Sequence, residues 1–217
     1  MLGSVQGLEQ PSLFGRAELR VDTRFSAARR IPLRAGAWVE YAPGWLEGHE
    51  WLFEHLRRTT RWRAKQRPMY ERIVHVPRLL AAVPDHGPGH PILWTCARLL
   101  SARYGFDLSS ISMAYYRDGN DSVAPHGDRL GRRANDAVVA IVAVGERRTL
   151  RLNPREGGPG LSFQVGWGDL FVMGGTCQRT YLHGIPKAKR AGPRISIQYR
   201  PAGYRDAARD EAPRFLW

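Results

Sequence analysis

From Ser109 onward the chain is a succession of short apolar runs separated by turn residues. SISMAYYR, AVVAIVAVG, RTLRLNP, LSFQV, DLFVM and RISIQYR each read as a strand. Gly, Asp, Asn and Pro clusters such as Arg117-Asp118-Gly119-Asn120 and Gly157-Gly158-Pro159-Gly160 divide them. Many short strands at close spacing, with no helical period between them, predict a sandwich, barrel or jelly roll rather than a parallel α/β sheet.

The N-terminal half has a different texture. After Pro43-Gly44, the apolar positions of WLEGHEWLFEHL recur every three or four residues. This predicts an amphipathic helix on which Trp45, Leu46, His49, Leu52, Phe53 and Leu56 share a face. A second helix is expected from Pro91 to Gly105, with Ile92, Cys96, Leu99 and Leu100 as its stripe. Up to Gly36 there is little period and several arginines, which reads as a basic, partly extended arm. The expected division is a basic extension over 1–36, a helical and substrate-recognition region over 37–108, a core over 109–203 and a tail over 204–217, the middle two forming one domain.

Composition narrows the class. With 217 residues, 43% hydrophobic, the chain suits one domain with a real core, and its 23 Gly and 15 Pro exclude a collagen-like or disordered chain. No stretch approaches the ~20 apolar residues of a membrane span, and the start lacks a signal-peptide pattern, so a cytoplasmic protein with no membrane partner is expected. Cys96 and Cys177 stand far apart and form no CxxC pair, so any metal would be held by His and carboxylate. The net charge is +13, and every basic residue except Lys65, Lys187 and Lys189 is arginine. That charge fits either a solvated basic surface of compositional origin or a polyanion-binding one.

One constellation carries chemistry. In Pro125-His126-Gly127-Asp128 an extended backbone turns His126 and Asp128 to the same face. His183 in Tyr181-Leu182-His183-Gly184 supplies a third donor from a later strand. Two His and one carboxylate form the facial triad of non-haem Fe(II) oxygenases, although an H-x-D triplet alone also arises by chance. In Arg194-Ile195-Ser196-Ile197-Gln198-Tyr199-Arg200, alternation places Arg194, Ser196, Gln198 and Arg200 on one face. Buried arginines need anions, so a dicarboxylate beside the metal would satisfy them; a solvent-facing strand edge is the plain alternative.

The runs SISMAYYRDGNDSVAPHGD, GDLFVMGGTCQRTYLHGIPK and GPRISIQYR resemble the AlkB family of Fe(II)- and 2-oxoglutarate-dependent nucleic-acid dealkylases. The likeness covers Ser109 to Arg200 in that family's order, with a weaker extension upstream through Met69-Tyr70 to Val76-Pro77-Arg78. The resemblance implies an α+β chain whose core is a double-stranded β-helix, jelly-roll and cupin-like, with the N-terminal helices packed outside. It implies Fe(II) on His126, Asp128 and His183, with 2-oxoglutarate and O2 as co-substrates. Arg194 would pair with the distal carboxylate of 2-oxoglutarate, helped by the Tyr116 hydroxyl, and Arg200 would lie near its chelating end. Ser196 stands where many relatives have Asn, and Ala114 likewise.

The activity implied is hydroxylation of an N-alkyl group on a DNA base, with RNA left open, releasing aldehyde, succinate and CO2. Met69, Tyr70, Arg78 and Leu130 are the substrate-binding candidates. Met69 and Tyr70 fall where duplex-acting relatives carry a finger that fills the vacated stack, and Leu130 stands where relatives often carry an acid that touches the target base. Basic residues from Arg57 to Arg78, set against the single acid Glu71 and interleaved with Trp62 and Tyr70, form a candidate phosphate track. A helix end with solvated arginines followed by a core strand is the alternative for that segment. Two other readings stay open: the same iron chemistry on a non-DNA substrate, and a silent nucleic-acid-binding module. A monomer is expected.

Overall fold

The computed structural model describes residues 18–69, 72–83, 90–128, 130 and 136–203, with backbone alone over 65–69 and 72–76. The strands are β1 (Arg20–Val21), β2 (Arg29–Pro32), β3 (Ala37–Ala42), β4 (Leu46–Glu47), β5 (Arg63–Met69), β6 (Arg72–Ala82) and β7 (Ser110–Tyr116). They continue with β8 (Val123–His126), β9 (Val139–Gly145), β10 (Arg148–Pro154), β11 (Leu161–Val165), β12 (Asp169–Gly175), β13 (Tyr181–Ile185) and β14 (Arg194–Arg200). The helices are α1 (His49–Thr59), α2 (Pro91–Tyr104) and the single turn α3 (Cys177–Thr180).

An eight-stranded sheet in the order β2-β3-β12-β9-β14-β7-β6-β5 faces a four-stranded sheet in the order β11-β10-β13-β8. The pairings among the described residues are all antiparallel. This is the jelly-roll architecture, with α1 and α2 outside it.

The uninterrupted apolar run of β9 follows from burial on both faces. Val139, Ile141 and Ala143 point between the sheets, where they meet Phe171, Met173, Leu150, Leu152 and Val165. Ala140, Val142 and Val144 point outward and are covered by Leu52, Phe53 and Leu56 of α1 and by Leu93, Cys96 and Leu100 of α2. Each Val, Leu, Ile, Phe or Met side chain so withdrawn from water contributes roughly 1.5–3 kcal/mol. Strand β14 divides in the same way: Ile195, Ile197 and Tyr199 lie under the helices. The alternate positions, Arg194, Ser196, Gln198 and Arg200, therefore face the interior.

Two expectations shift. The first helix begins at His49, not Trp45, because Gly48 adopts φ 72° and Leu46 is engaged in β4, where it pairs with Val21. Trp45 and Leu46 still join the outer core. The stretch before Gly36 is not simply an arm. Within it β2 pairs with β3 at the edge of the large sheet, and Phe25 packs against Trp45 at 5.4 Å. Residues 1–17 and 204–217 lie outside the described residues. The second helix runs as expected from Pro91 to the left-handed Gly105, capped by His90 Nδ1, which accepts from the Ile92 N–H. No helix among the described residues is long and apolar enough to cross a membrane.

Candidate metal and co-substrate site

His126 and His183 meet as direct partners in the β8–β13 pairing, their ring centroids 4.3 Å apart. Asp128 follows β8 by two residues. Its Oδ1 lies 3.7 Å from His126 Nε2 and 4.0 Å from His183 Nε2. One donor atom from each residue falls within 4.8 Å of the others, a set able to hold one ion. His126 Nδ1 lies 3.0 Å from the Ala124 carbonyl, which leaves Nε2 for the centre.

The two oxygens of Asp128 are engaged unequally. Oδ2 accepts from Arg200 Nε at 2.8 Å, while Oδ1 faces the histidines and accepts only a long contact from Arg200 Nη2 at 3.5 Å. Arg200 Nη1 in turn donates to Ser112 Oγ at 2.8 Å. Burial alone would raise the Asp128 pKa, but the charge of Arg200, aided by His183, outweighs it and holds the carboxyl at about 2. Burial pushes His183 down to about 4, against the opposing pull of Asp128. At neutral pH the site therefore presents a carboxylate and an unprotonated imidazole, both competent ligands.

Arg194 lies directly across from Tyr116 in the β14–β7 register, its guanidinium 5.5 Å from that ring's centroid. It is 1% exposed. Its Nε donates to the Val165 carbonyl at 3.1 Å, yet among the described residues neither Nη1 nor Nη2 has a hydrogen-bond partner. Burial lowers its pKa to about 10, so it remains charged at pH 7. A buried cation with two unsatisfied donors is costly unless an anion completes it. The residues thus fit a carboxylate at this end and a divalent metal at the other.

A model of the 2OG-Fe(II) oxygenase superfamily matches residues 51–200. The chain belongs to that superfamily. Its members use Fe(II), 2-oxoglutarate and O2, the cofactor set expected above. The chain is also 33% identical over 122 residues to an uncharacterized protein of Acanthamoeba polyphaga mimivirus, a match over 55% of this chain and 63% of the viral one. It therefore spans less than two thirds of that relative's length.

The other candidates distribute unevenly. Ser196 is buried and its Oγ accepts from Gln198 Nε2 at 3.3 Å. Arg78 is half-buried and donates to the Ser122 carbonyl at 3.1 Å, in the approach to β8. Leu130 packs against the inner core. Met69 ends β5 with only its backbone described, and Tyr70 lies outside the described residues. Within the basic segment, Arg57 and Arg58 reach Glu54 at 2.7 and 3.5 Å. Trp62 packs on Tyr115 at 5.3 Å and gives its indole N–H to Arg57, which makes it part of the packing and not a free stacking platform.

Sequence reasoning passed over two residues. Gln178, 3% exposed, accepts from the Asp128 N–H at 2.9 Å. Nothing in its local pattern marks it. Arg148 is 2% exposed at an inward position of β10, where strict alternation with Leu150 and Leu152 would have revealed it.

Proposed function

We propose that the oxygenase is an AlkB-like dioxygenase that removes N-alkyl groups, methyl foremost, from DNA bases, with RNA as a further substrate. The observation that carries the co-substrate assignment is Arg194, whose two buried nitrogens, without a hydrogen-bond partner among the described residues, face the same interior as the ligand triad. The nucleic-acid assignment rests on the motif string from Ser109 to Arg200, on the +13 charge, and on the basic β5–β6 ribbon tied to the approach to β8.

His126, Asp128 and His183 would hold the iron, with Arg200 fixing the ligand oxygens of Asp128. Arg194 would clamp the distal carboxylate, and the Tyr116 ring beside it would shape the seat. Iron and 2-oxoglutarate, when bound, supply O2 activation, with one oxygen atom entering succinate and CO2 leaving. The second oxygen would be inserted into a C–H bond of the substrate's N-methyl group, giving N–CH2–OH. This hemiaminal breaks its C–N bond, returning the proton to nitrogen and releasing formaldehyde. The protein need supply no acid or base for that collapse. A base in duplex must leave the stack to reach the site.

Leu130, half-buried two residues beyond Asp128, gives the interior an apolar lining and favours a second reading, the same chemistry on a non-DNA substrate.

The test mixes the chain anaerobically with Fe(II), 2-oxoglutarate and an N-methylated oligonucleotide, then admits O2 and follows succinate and formaldehyde. Equal amounts of both are expected, and Asp128→Ala should abolish both. Succinate never coupled to formaldehyde from any methylated nucleic acid would overturn the DNA reading and support the second. A fully active Asp128→Ala would overturn the metal assignment.

A further inference from the structure

A second buried arginine stands beside the Arg194 seat. Arg148 opens β10, and its guanidinium lies 5.7 Å from the centroid of the same Tyr116 ring that Arg194 approaches at 5.5 Å. Among the described residues neither arginine makes an ion pair. Unlike Arg194, Arg148 is fully engaged at its terminal nitrogens. Nη1 donates to the Asp118 carbonyl at 2.8 Å, and Nη2 donates to those of Asp121 and Pro186, each at 2.9 Å.

Those carbonyls belong to two connections. Residues 117–122 join β7, which carries Tyr116, to β8, which carries His126. Residues 186–193 join β13, which carries His183, to β14, which carries Arg194. Arg148 therefore ties together the two segments that link the metal ligands to the co-substrate seat. The same segments touch a second time, where the Ala188 N–H donates to the Gly119 carbonyl at 2.8 Å. The approach is so close that a Cβ on Gly119 would collide with the Ala188 carbonyl. Arg117 stiffens the first segment by pairing with Asp121 through two nitrogens, each at 2.8 Å.

We propose that Arg148 is a positioning residue that sets the span between the iron ligands and Arg194, and so selects the length of the 2-oxo diacid the site accepts. The inference rests on the co-substrate reading above. A diacid bound at both ends must match a fixed distance, and a planar fork joined to three main-chain carbonyls holds that distance more tightly than packing alone. Lysine at this position would keep the charge but lose the fork.

The experiment is calorimetry on the full chain loaded with Mn(II) as a redox-silent stand-in for iron, titrated with 2-oxoglutarate and with its one-carbon-longer homologue. Arg148→Met should weaken 2-oxoglutarate binding about tenfold, leave Mn(II) affinity unchanged and narrow the preference for the five-carbon acid. Arg148→Lys should show the same narrowing. Gly119→Ala, which parts the two segments without altering charge, should also narrow it, and serves if Arg148→Met does not fold. If the folded variants retain the full length preference, the proposal is overturned. An equal loss of Mn(II) affinity also overturns it, because the clasp would then support the whole site and not its span. Arg194→Met separates the two readings: unchanged 2-oxoglutarate binding in that variant removes the co-substrate seat itself. Lost binding there, with selectivity kept in the Arg148 and Gly119 variants, removes only the span proposal.

Discussion

Asp128 and Glu40 are both buried carboxylates fixed by arginine, yet they serve different ends. Asp128 has Oδ2 held closely by Arg200 at 2.8 Å, while Oδ1, touched by the same guanidinium only at 3.5 Å, is turned to two imidazoles, so its charge remains available to a metal. Glu40 spends its charge on structure. It is 3% exposed and accepts from Tyr104 Oη at 2.7 Å, Arg103 Nη2 at 2.8 Å and Arg30 Nε at 3.0 Å. Burial would raise its pKa, but the Tyr104 hydroxyl and the Arg103 and Arg30 guanidiniums outweigh it and hold the carboxyl below its ordinary value. A depressed folded pKa means stabilisation that is present above the unfolded pKa and lost as pH falls through the folded one. Glu40→Gln should therefore cost about 2 kcal/mol at neutral pH. Its deficit against the parent should shrink as pH drops below about 4, read from urea midpoints across pH. A deficit independent of pH would show that packing and not charge is lost. At this scale the alternation of RISIQYR foretold that Arg194 and Arg200 share a face. It could not reveal that Arg200 meets Asp128, a contact across 72 residues of chain set by the folding of both sheets.

Secondary elements decide how the ligand residues are aimed. His126 is fixed by strand pairing, but Asp128 lies past the end of β8 and needs another support. The single turn α3 provides it: Gln178 Oε1 accepts the Asp128 N–H and Nε2 reaches Met173 Sδ at 3.7 Å. The Gln178 main-chain carbonyl also sits so close to Gly127 that no side chain fits there. Gln178→Leu should weaken metal binding about tenfold with little change in unfolding midpoint, as calorimetric titration with Mn(II) would read. Unaltered affinity would show that β8 alone aims the carboxylate. The long strands were legible because two-sided burial makes β9 continuously apolar and β14 alternate. Element starts were less so. The periodicity of WLEGHEWLFEHL runs through Trp45 and Leu46, but a left-handed Gly48 and the pairing of β4 with β1 break the helix there, and pattern alone cannot register a partner strand. For the same reason β2 was hidden in an arginine-rich, exposed run: its pairing with β3 makes it a strand, not its own composition.

Over the whole molecule the positive charge is used in three ways. Arg194, Arg148 and Arg200 are interior, and Arg30, Arg103 and Arg117 close ion pairs with Glu40 and Asp121. Eight more basic residues, from Arg57 to Arg78, lie on the β5–β6 ribbon and the segment leading into it. Strand β6 pairs with β7 only from Leu79 to Ala82, while its pairing with β5 runs on to Met69 and Arg72, so the ribbon extends beyond the sheet. Its base is anchored where the Ser122 N–H donates to the Pro77 carbonyl at 2.7 Å and Arg78 donates to the Ser122 carbonyl, just ahead of the strand bearing His126. Tyr70 and Glu71 fall between Met69 and Arg72, outside the described residues. On the proposed nucleic-acid substrate, a basic ribbon anchored beside the site would track phosphates, and Tyr70 would be the residue to occupy the gap left by an extruded base. Stacking of one base on an aromatic side chain is worth roughly 1–3 kcal/mol. Tyr70→Ala should accordingly lower turnover of a methylated duplex about tenfold more than that of the same lesion in a single strand, where no stack has to be filled. Equal losses on both substrates would leave the ribbon with phosphate binding alone, and no loss on either would separate it from the substrate altogether.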